Sequence, residues 1–150
     1  MLRHNIREDA GQALVELALV FPILLLFLVG SVELGRLAYA AIEVNDAARA
    51  GVAYGAQSHT TASDSSNITL AATTESPDIT SMTATTSQFC SCSDGTSITC
   101  TNAGTKCLSP AHIIEYVQVN TTAPVATLFH FPGIASSMTL RGQAIMRVEQ

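Results

Sequence analysis

The chain has 150 residues, of which 47% are hydrophobic, 13% are charged and only 5% are aromatic. Soluble domains carry about 25% charged residues, and disordered chains are poor in apolar residues, so the composition excludes both classes for the chain as a whole. The net charge of −5 argues against nucleic-acid binding, which needs a basic surface. These values indicate a membrane-associated protein with room for one small domain.

The hydrophobic residues concentrate near the N-terminus. Residues 17–32 carry no charge, and residues 13–15 extend this apolar run on its N-terminal side. A helix needs about 20 apolar residues to cross a bilayer, so the sequence predicts one membrane span over about residues 13–32. The alternative is a signal peptide cleaved after the Ala-Tyr-Ala sequence at residues 38–40. The apolar run is longer than the core of about 7–15 residues that such peptides have.

The charges on either side of the span predict its orientation. Arg3 and Arg7 precede the span, whereas Arg36 alone follows it closely. Cytoplasmic flanks carry an excess of basic residues, and acidic residues contribute little to this rule. We therefore expect a cytoplasmic N-terminus and an extracytoplasmic C-terminal part.

Glu16 lies inside the apolar run. A carboxylate in a membrane-spanning helix costs about 2.5–3.5 kcal/mol on insertion scales, so it is a functional candidate by default. The alternative is that Glu16 lies at the cytoplasmic interface, where this cost falls. Its context favours function, because Gly11 precedes it by five positions and a short leader with basic residues precedes Gly11.

This arrangement resembles the processing site of class III prepilins. The longer run GQALVELALVFP at residues 11–22, with VELGR at 32–36 and DAARAG at 46–51, resembles TadE-like minor pseudopilins of the tight-adherence (Flp pilus) system. A weaker resemblance returns at residues 116–119 and 144–149. The TadE-like resemblance implies a pilin-like α+β fold, in which one long N-terminal transmembrane helix packs through its outer half on a small antiparallel sheet.

The resemblance also implies roles for particular residues. A prepilin peptidase would cut after Gly11 and expose the amine of Gln12, and Glu16 would pair with the N-terminal amine of a neighbouring subunit. Opposite charges attract strongly at low dielectric, and an unpaired one is costly there. Leu17 departs from the pattern, since many prepilins carry Phe or Tyr at this position. The implied partners are membrane lipid, the prepilin peptidase, other pilins and pilus-assembly membrane proteins.

The helical pattern continues beyond the membrane span. Apolar residues recur at steps of three and four, with Leu34, Leu37, Ala41 and Val44 as examples, so the sequence predicts an amphipathic extension over 33–57 and one helix over 12–57. Pro22 should kink this helix, which a bilayer tolerates. The extension is rich in small residues, which either pack on the protein's own sheet or admit another helix.

Residues 58–150 are predicted to form an extracytoplasmic, Ser/Thr-rich β module. We expect a flexible stretch near 58–66 and short strands around 79–86 and 97–100. Residues 112–121 and 137–148 carry the clearest strand patterns. In the second, period-two alternation predicts that Met138, Leu140, Ala144, Met146 and Val148 share one face.

Four cysteines lie in this module: Cys90, Cys92, Cys100 and Cys107. An even number of cysteines in a small extracytoplasmic module predicts two disulfides. Pairing Cys90 with Cys92 would be strained, which leaves two connectivities: Cys90–Cys100 with Cys92–Cys107, or Cys90–Cys107 with Cys92–Cys100. The spacing lacks the paired C-x2-4-C of zinc sites, so we predict no metal ion.

The sequence predicts no enzymatic activity and no cofactor, because none of the common catalytic or phosphate-binding motifs occurs in it. The favoured function is that of a minor pilin or pseudopilin, a structural component in assembly of tight-adherence pili used in adhesion and biofilm formation. It would reside in the bacterial cytoplasmic membrane, and the pilus would be its second location. The alternative is an unprocessed, single-span anchor for an extracytoplasmic binding module.

Overall fold

The computed structural model describes residues 5–100, 107–108, 111–129, 133 and 135–149, with side chains from Gly11 onward. The chain divides into two compact units, one ending at Leu37 and one beginning at Ala38. The helices and strands are α1 (Asn5–Gly55), α2 (His59–Ala62), α3 (Ser65–Glu75), β1 (Thr83–Cys92), β2 (Ser97–Ile98), β3 (Ile113–Ala126) and β4 (Ser137–Arg147).

Helix α1 is longer at its N-terminus than the sequence predicts. It begins at Asn5, inside the predicted leader, and ends at Gly55 rather than at residue 57. It ends there because Ser58 starts a new helix, with its side chain accepting a hydrogen bond from the Thr61 N–H. Pro22 lies within α1. Arg3 lies outside the described residues, and the predicted domain boundaries stay predictions.

The stretch after Ser58 is helical, so the prediction of a flexible segment over 58–66 is wrong. Asp64 caps α3 by accepting a hydrogen bond from the Asn67 N–H at 3.1 Å. The abundant threonines do not break α3, because their hydroxyls bond to carbonyls one turn earlier, as Thr69 does to Ser65 at 2.9 Å. Ile68 and Ala72, four residues apart, are fully buried, and this apolar stripe holds α3 in place.

The four strands form one antiparallel sheet in the order β2-β1-β3-β4. The predicted α+β fold with a small antiparallel sheet is therefore confirmed. β1 begins at Thr83 rather than at residue 79, because turn hydrogen bonds occupy the preceding residues, from the Ile79 N–H to Ser76 O and from the Met82 N–H to Ile79 O.

The outer half of α1 packs on one face of the sheet. Alternate residues of β3, including Val117 and Val119, are completely buried on that face. Val52 of α1 belongs to the buried cluster of Val117 and Val119, and Val44 belongs to a second buried cluster with Ala123 of β3. The buried Thr121 hydroxyl donates a hydrogen bond to the Val44 carbonyl at 2.6 Å. A helix and the central strand of the sheet are thus joined by both apolar contact and a buried polar bond.

Small residues make this close packing possible. Several of those predicted to face either the sheet or another helix are buried in the second unit: Ala40, Ala47, Ala48 and Gly51. Packing against the protein's own sheet therefore accounts for these four positions. Gly35 and Ala38 are exposed. Gly142 of β4 is the tightest point, since a Cβ atom there would lie 2.5 Å from the Val44 carbonyl oxygen.

The predicted alternation of β4 is confirmed at Leu140, Ala144 and Val148, of which Val148 is almost completely buried. Met146 also lies on this face, as predicted, but it remains 43% exposed, and Met138 is 47% exposed. The reason is their place on an edge strand, where a side chain has a neighbouring strand on one side only.

The structure selects the first of the two cysteine connectivities. Cys90 pairs with Cys100 and Cys92 with Cys107, with Cα–Cα distances of 5.1 and 5.6 Å. Cys90 and Cys92 lie two residues apart on β1, so both side chains are on one face, where both are buried. The two disulfides join the end of β1 to the segments that follow it.

Replacing Cys92 and Cys107 together by alanine should lower the free energy of unfolding of the second unit by about 3 kcal/mol, because an open 15-residue loop gains entropy in the unfolded chain. Urea denaturation followed by circular dichroism measures this loss. The matched variant without Cys90–Cys100 should lose slightly less, since its loop spans 10 residues. Equal midpoints for the wild type and both variants would contradict the expectation.

Candidate functional site

The first unit consists of the N-terminal part of α1, and its apolar side chains are exposed. Leu19 and Phe27, for example, are 71% and 73% exposed. Such a continuous apolar surface needs lipid or another helix to cover it. Within the described part of the chain, α1 is the one helix that is long and apolar enough to cross a membrane. This finding indicates a single-pass membrane protein.

Glu16 is the only charged residue between Gly11 and Val32. It lies one helical turn after Gln12 and one turn before Val20, so these three residues share a face of α1. Because side chains of a helix lean toward its N-terminus, the Glu16 carboxylate leans toward Gln12. The carboxylate therefore has a polar residue on one side and the apolar membrane helix on the other.

The Gly11–Gln12 peptide bond lies within the helix, because α1 begins at Asn5. A Cβ atom added to Gly11 would meet nothing within 4 Å, whereas one at Gly51 would meet the Ala72 side chain at 3.1 Å. Packing in this chain therefore requires the small residue at Gly51 but not at Gly11. A helical glycine costs about 1 kcal/mol relative to alanine, so Gly11 weakens the helix at this bond.

A shallow apolar groove of about 490 Å³ runs along the same unit. Its lining residues are Ile23, Leu26, Phe27, Gly30, Ser31 and Leu34. The Ser31 hydroxyl donates to the Leu28 carbonyl at 2.9 Å, which satisfies this donor without water. Gly30 leaves open space where a side chain would stand. Small residues of this kind let a second helix approach closely in a membrane.

Residues 11–53 match a family model described as TadE-like protein. This segment is TadE-like. The resemblance predicted from the sequence is confirmed over these residues, which include Gly11, Gln12, Glu16 and Pro22. Comparison with curated proteins and with solved structures found no match.

The TadE-like segment suggests an association with the tight-adherence pilus. The segment covers the apolar part of α1 and most of the part that packs on the sheet. Its match begins at Gly11 and ends two residues before α1 does. Glu16 and the residues of α1 that pack on the sheet, such as Val44 and Val52, therefore lie on one helix and within one family match.

Sequence reasoning missed a polar cluster in the second unit. The carboxylate of Glu115 is buried on β3, where it accepts a hydrogen bond from Gln88 Nε2 at 3.2 Å and contacts His59 Nδ1. The period-two pattern of β3 could have revealed it, because Glu115 has the same parity as the buried Val117 and Val119. A buried carboxylate needs polar partners, and Gln88 and His59 supply them for Glu115.

Two surface carboxylates of the second unit have lowered pKa values. For Asp64, the main cause is a hydrogen bond from the Asn67 side chain, and for Asp94 it is one from the Thr96 backbone N–H. The Asp64 bond belongs to the N-cap of α3, and the Asp94 bond belongs to the turn between β1 and β2. Across the described residues, no group of three or more His, Cys, Asp or Glu side chains could hold a metal ion.

Proposed function

We propose that this protein is a minor pilin or pseudopilin that acts in assembly of the tight-adherence pilus, and through it in adhesion and biofilm formation. Its N-terminus lies in the cytoplasm, α1 crosses the bacterial cytoplasmic membrane, and the second unit is extracytoplasmic. The carrying observation is a carboxylate, Glu16, inside an exposed apolar helix whose TadE-like match begins at Gly11.

Leader removal is the first step of this proposal. A prepilin peptidase hydrolyses the Gly11–Gln12 bond, so that water supplies the new carboxylate on Gly11 and the new amine on Gln12. Cleavage brings Glu16 closer to the start of the helix. In the intact chain it lies three turns from the N-terminal end of α1, whereas after cleavage it becomes the fifth residue. The amine and the unpaired N–H groups of the new helix start favour a nearby negative charge.

Pairing between subunits is the second step. The Glu16 carboxylate of one subunit meets the Gln12 amine of its neighbour in a low-dielectric membrane, where leaving either charge unpaired is costly. The step of four positions from Gln12 to Glu16 corresponds to about 6 Å along a helix. Pairing therefore fixes an axial offset of about 6 Å between parallel neighbours. The groove at Gly30 and Ser31 supports close approach of the second helix.

The mass of the membrane-extracted protein tests leader removal. We expect the wild type to lack residues 1–11 and to begin at Gln12 in cells with an active prepilin peptidase. Gly11→Val should retain the leader, because a bulky β-branched side chain next to the scissile bond hinders the approach of the peptidase. Gly35→Val is the matched control, since a Cβ atom meets nothing within 4 Å at either glycine.

Retention of the intact N-terminus in the wild type would contradict the pilin proposal. It would favour the second candidate, an unprocessed anchor that carries an extracytoplasmic binding module. That candidate is supported by the disulfide-bonded second unit, which has its own core. The proposal assigns the chain no catalytic step and no cofactor.

A further inference from the structure

Strand β4 lies at one edge of the sheet, because the strand order ends with it. It is 11 residues long and contains no proline. Proteins usually protect such edges with short strands, charged side chains, prolines, bulges or covering segments, since unpaired backbone groups invite another strand. Of these devices β4 has charged side chains, Arg141 and Arg147, which leave the edge open to a segment of opposite charge. Among the described residues no strand pairs with the outer side of β4.

Two hydrogen bonds identify the backbone groups that point outward. The Val148 N–H donates to the Glu115 carbonyl at 2.9 Å, and the Thr127 N–H donates to the Ser136 carbonyl at 3.0 Å. Both bonds join β3 to even-numbered positions beside β4. Since antiparallel pairing alternates along a strand, the odd-numbered residues present their N–H and C=O groups to the open edge. These residues are Ser137, Thr139, Arg141, Gln143, Ile145 and Arg147.

The side chains of these odd-numbered residues lie on the sheet face opposite to α1. Their partners on β3 include Tyr116 and Gln118, which alternate with the buried Val117 and Val119. Ile145 is 51% exposed, and both arginines of β4 are exposed. In the described part of the chain neither arginine forms an ion pair. An otherwise acidic protein thus presents two unneutralised positive charges, six positions apart, on an open strand edge.

We propose that β4 is a strand-addition site for an extended, acidic segment of another protein. The segment pairs antiparallel with β4 and places one carboxylate opposite Arg141 and another opposite Arg147. The backbone groups of the edge supply the hydrogen bonds, and the arginines supply the selection for acidic residues. Strand addition at β4 requires neither Glu16 nor leader cleavage.

A second copy of this chain is a poor occupant of the edge. Full antiparallel overlap of two β4 strands centres on Gly142 and places Arg141 opposite Gln143 and Arg147 opposite Ser137, so neither arginine meets an acid. A shifted register centred on Ala144 places Arg141 opposite Arg147 in both halves, where like charges repel. A register centred on Ile145 would bring Glu149 opposite Arg141, but the Glu149 N–H donates to the Ala56 carbonyl at 2.8 Å. Residue 149 lies beyond the end of β4, so it does not offer this backbone N–H to a second strand. Other registers offer the arginines no acid, because β4 contains none.

A synthetic peptide of sequence Glu-Val-Val-Thr-Thr-Val-Glu-Thr-Thr tests the site with the full chain in lipid nanodiscs. In antiparallel register its two glutamates meet Arg147 and Arg141. We expect binding by calorimetry and slower hydrogen exchange at the outward amides of Arg141, Gln143 and Ile145. A peptide with lysine at both glutamate positions should bind about tenfold more weakly, because two cross-strand pairs change sign.

Charge reversal of the chain separates recognition from misfolding. The variant with Arg141→Glu and Arg147→Glu should prefer the lysine peptide over the glutamate peptide, a result that an unfolded chain cannot give. Gln143→Pro should weaken both peptides, because it removes an outward N–H outside the β3–β4 ladder. Equal binding of the two peptides, or no binding of either, would overturn the proposal. Cross-linked homodimers of Gln143→Cys would also overturn it in favour of self-pairing.

Discussion

Glu16→Gln is expected to reduce pilus assembly strongly while leaving the chain in the membrane. Glutamine keeps the size of the side chain but removes its charge, so the neighbouring Gln12 amine loses its partner in a low-dielectric surrounding. Membrane insertion should improve, because a carboxylate in a spanning helix costs about 2.5–3.5 kcal/mol. Sheared pili, counted by immunoblot, should fall by about tenfold or more, which corresponds to at least about 1.4 kcal/mol.

The matched control for this variant is Glu33→Gln on the same helix. Glu33 lies beyond the apolar run and forms an ion pair with Arg36 at 3.2 Å. Loss of an i,i+3 pair costs only about 0.2–0.5 kcal/mol, so Glu33→Gln should leave piliation unchanged. Mass measurement on the same samples shows whether Glu16→Gln also blocks leader removal. Normal piliation in a fully processed Glu16→Gln strain would show that charge pairing is not needed for assembly.

Gly142→Ala is expected to have the largest effect on stability in the second unit. A Cβ atom at this position would lie 2.5 Å from the Val44 carbonyl oxygen and 2.6 Å from Thr121 Oγ1. These two atoms form a buried hydrogen bond with each other. Relief of the clash requires α1 to move away from the sheet. Overpacking and the lost bond together should lower the free energy of unfolding by about 3 kcal/mol or more.

Urea denaturation of the detergent-solubilised protein, followed by circular dichroism, measures the effect of Gly142→Ala. Gly35→Ala is the control, because a Cβ atom there meets nothing within 4 Å and alanine favours the helix. Its unfolding midpoint should equal or exceed that of the wild type. A midpoint for Gly142→Ala close to the wild-type value would show that helix and sheet do not need this close approach.

The sequence predicted those features that depend on contiguous residues. The apolar run, the position of Glu16 within it and the alternation of β4 are all periodic or compositional signals. The close TadE-like resemblance rested on residues within one helix, and the family match covers residues 11–53 of that helix. Helix α3 was missed because its threonines are typical of strands or spacers. The capping by Asp64 and the buried Ile68 decide otherwise.

The composition that first marked this chain as a membrane protein thus reflects the apolar run of α1, and the sequence by itself determined that helix and the single carboxylate within its apolar run. Only the tertiary structure decided which cysteines pair, which strand lies at the edge, and why residue 142 is glycine. The physical reason is sequence separation. Thr121 and Val44 meet across 77 positions, and such a contact leaves no periodic signal in either segment that makes it.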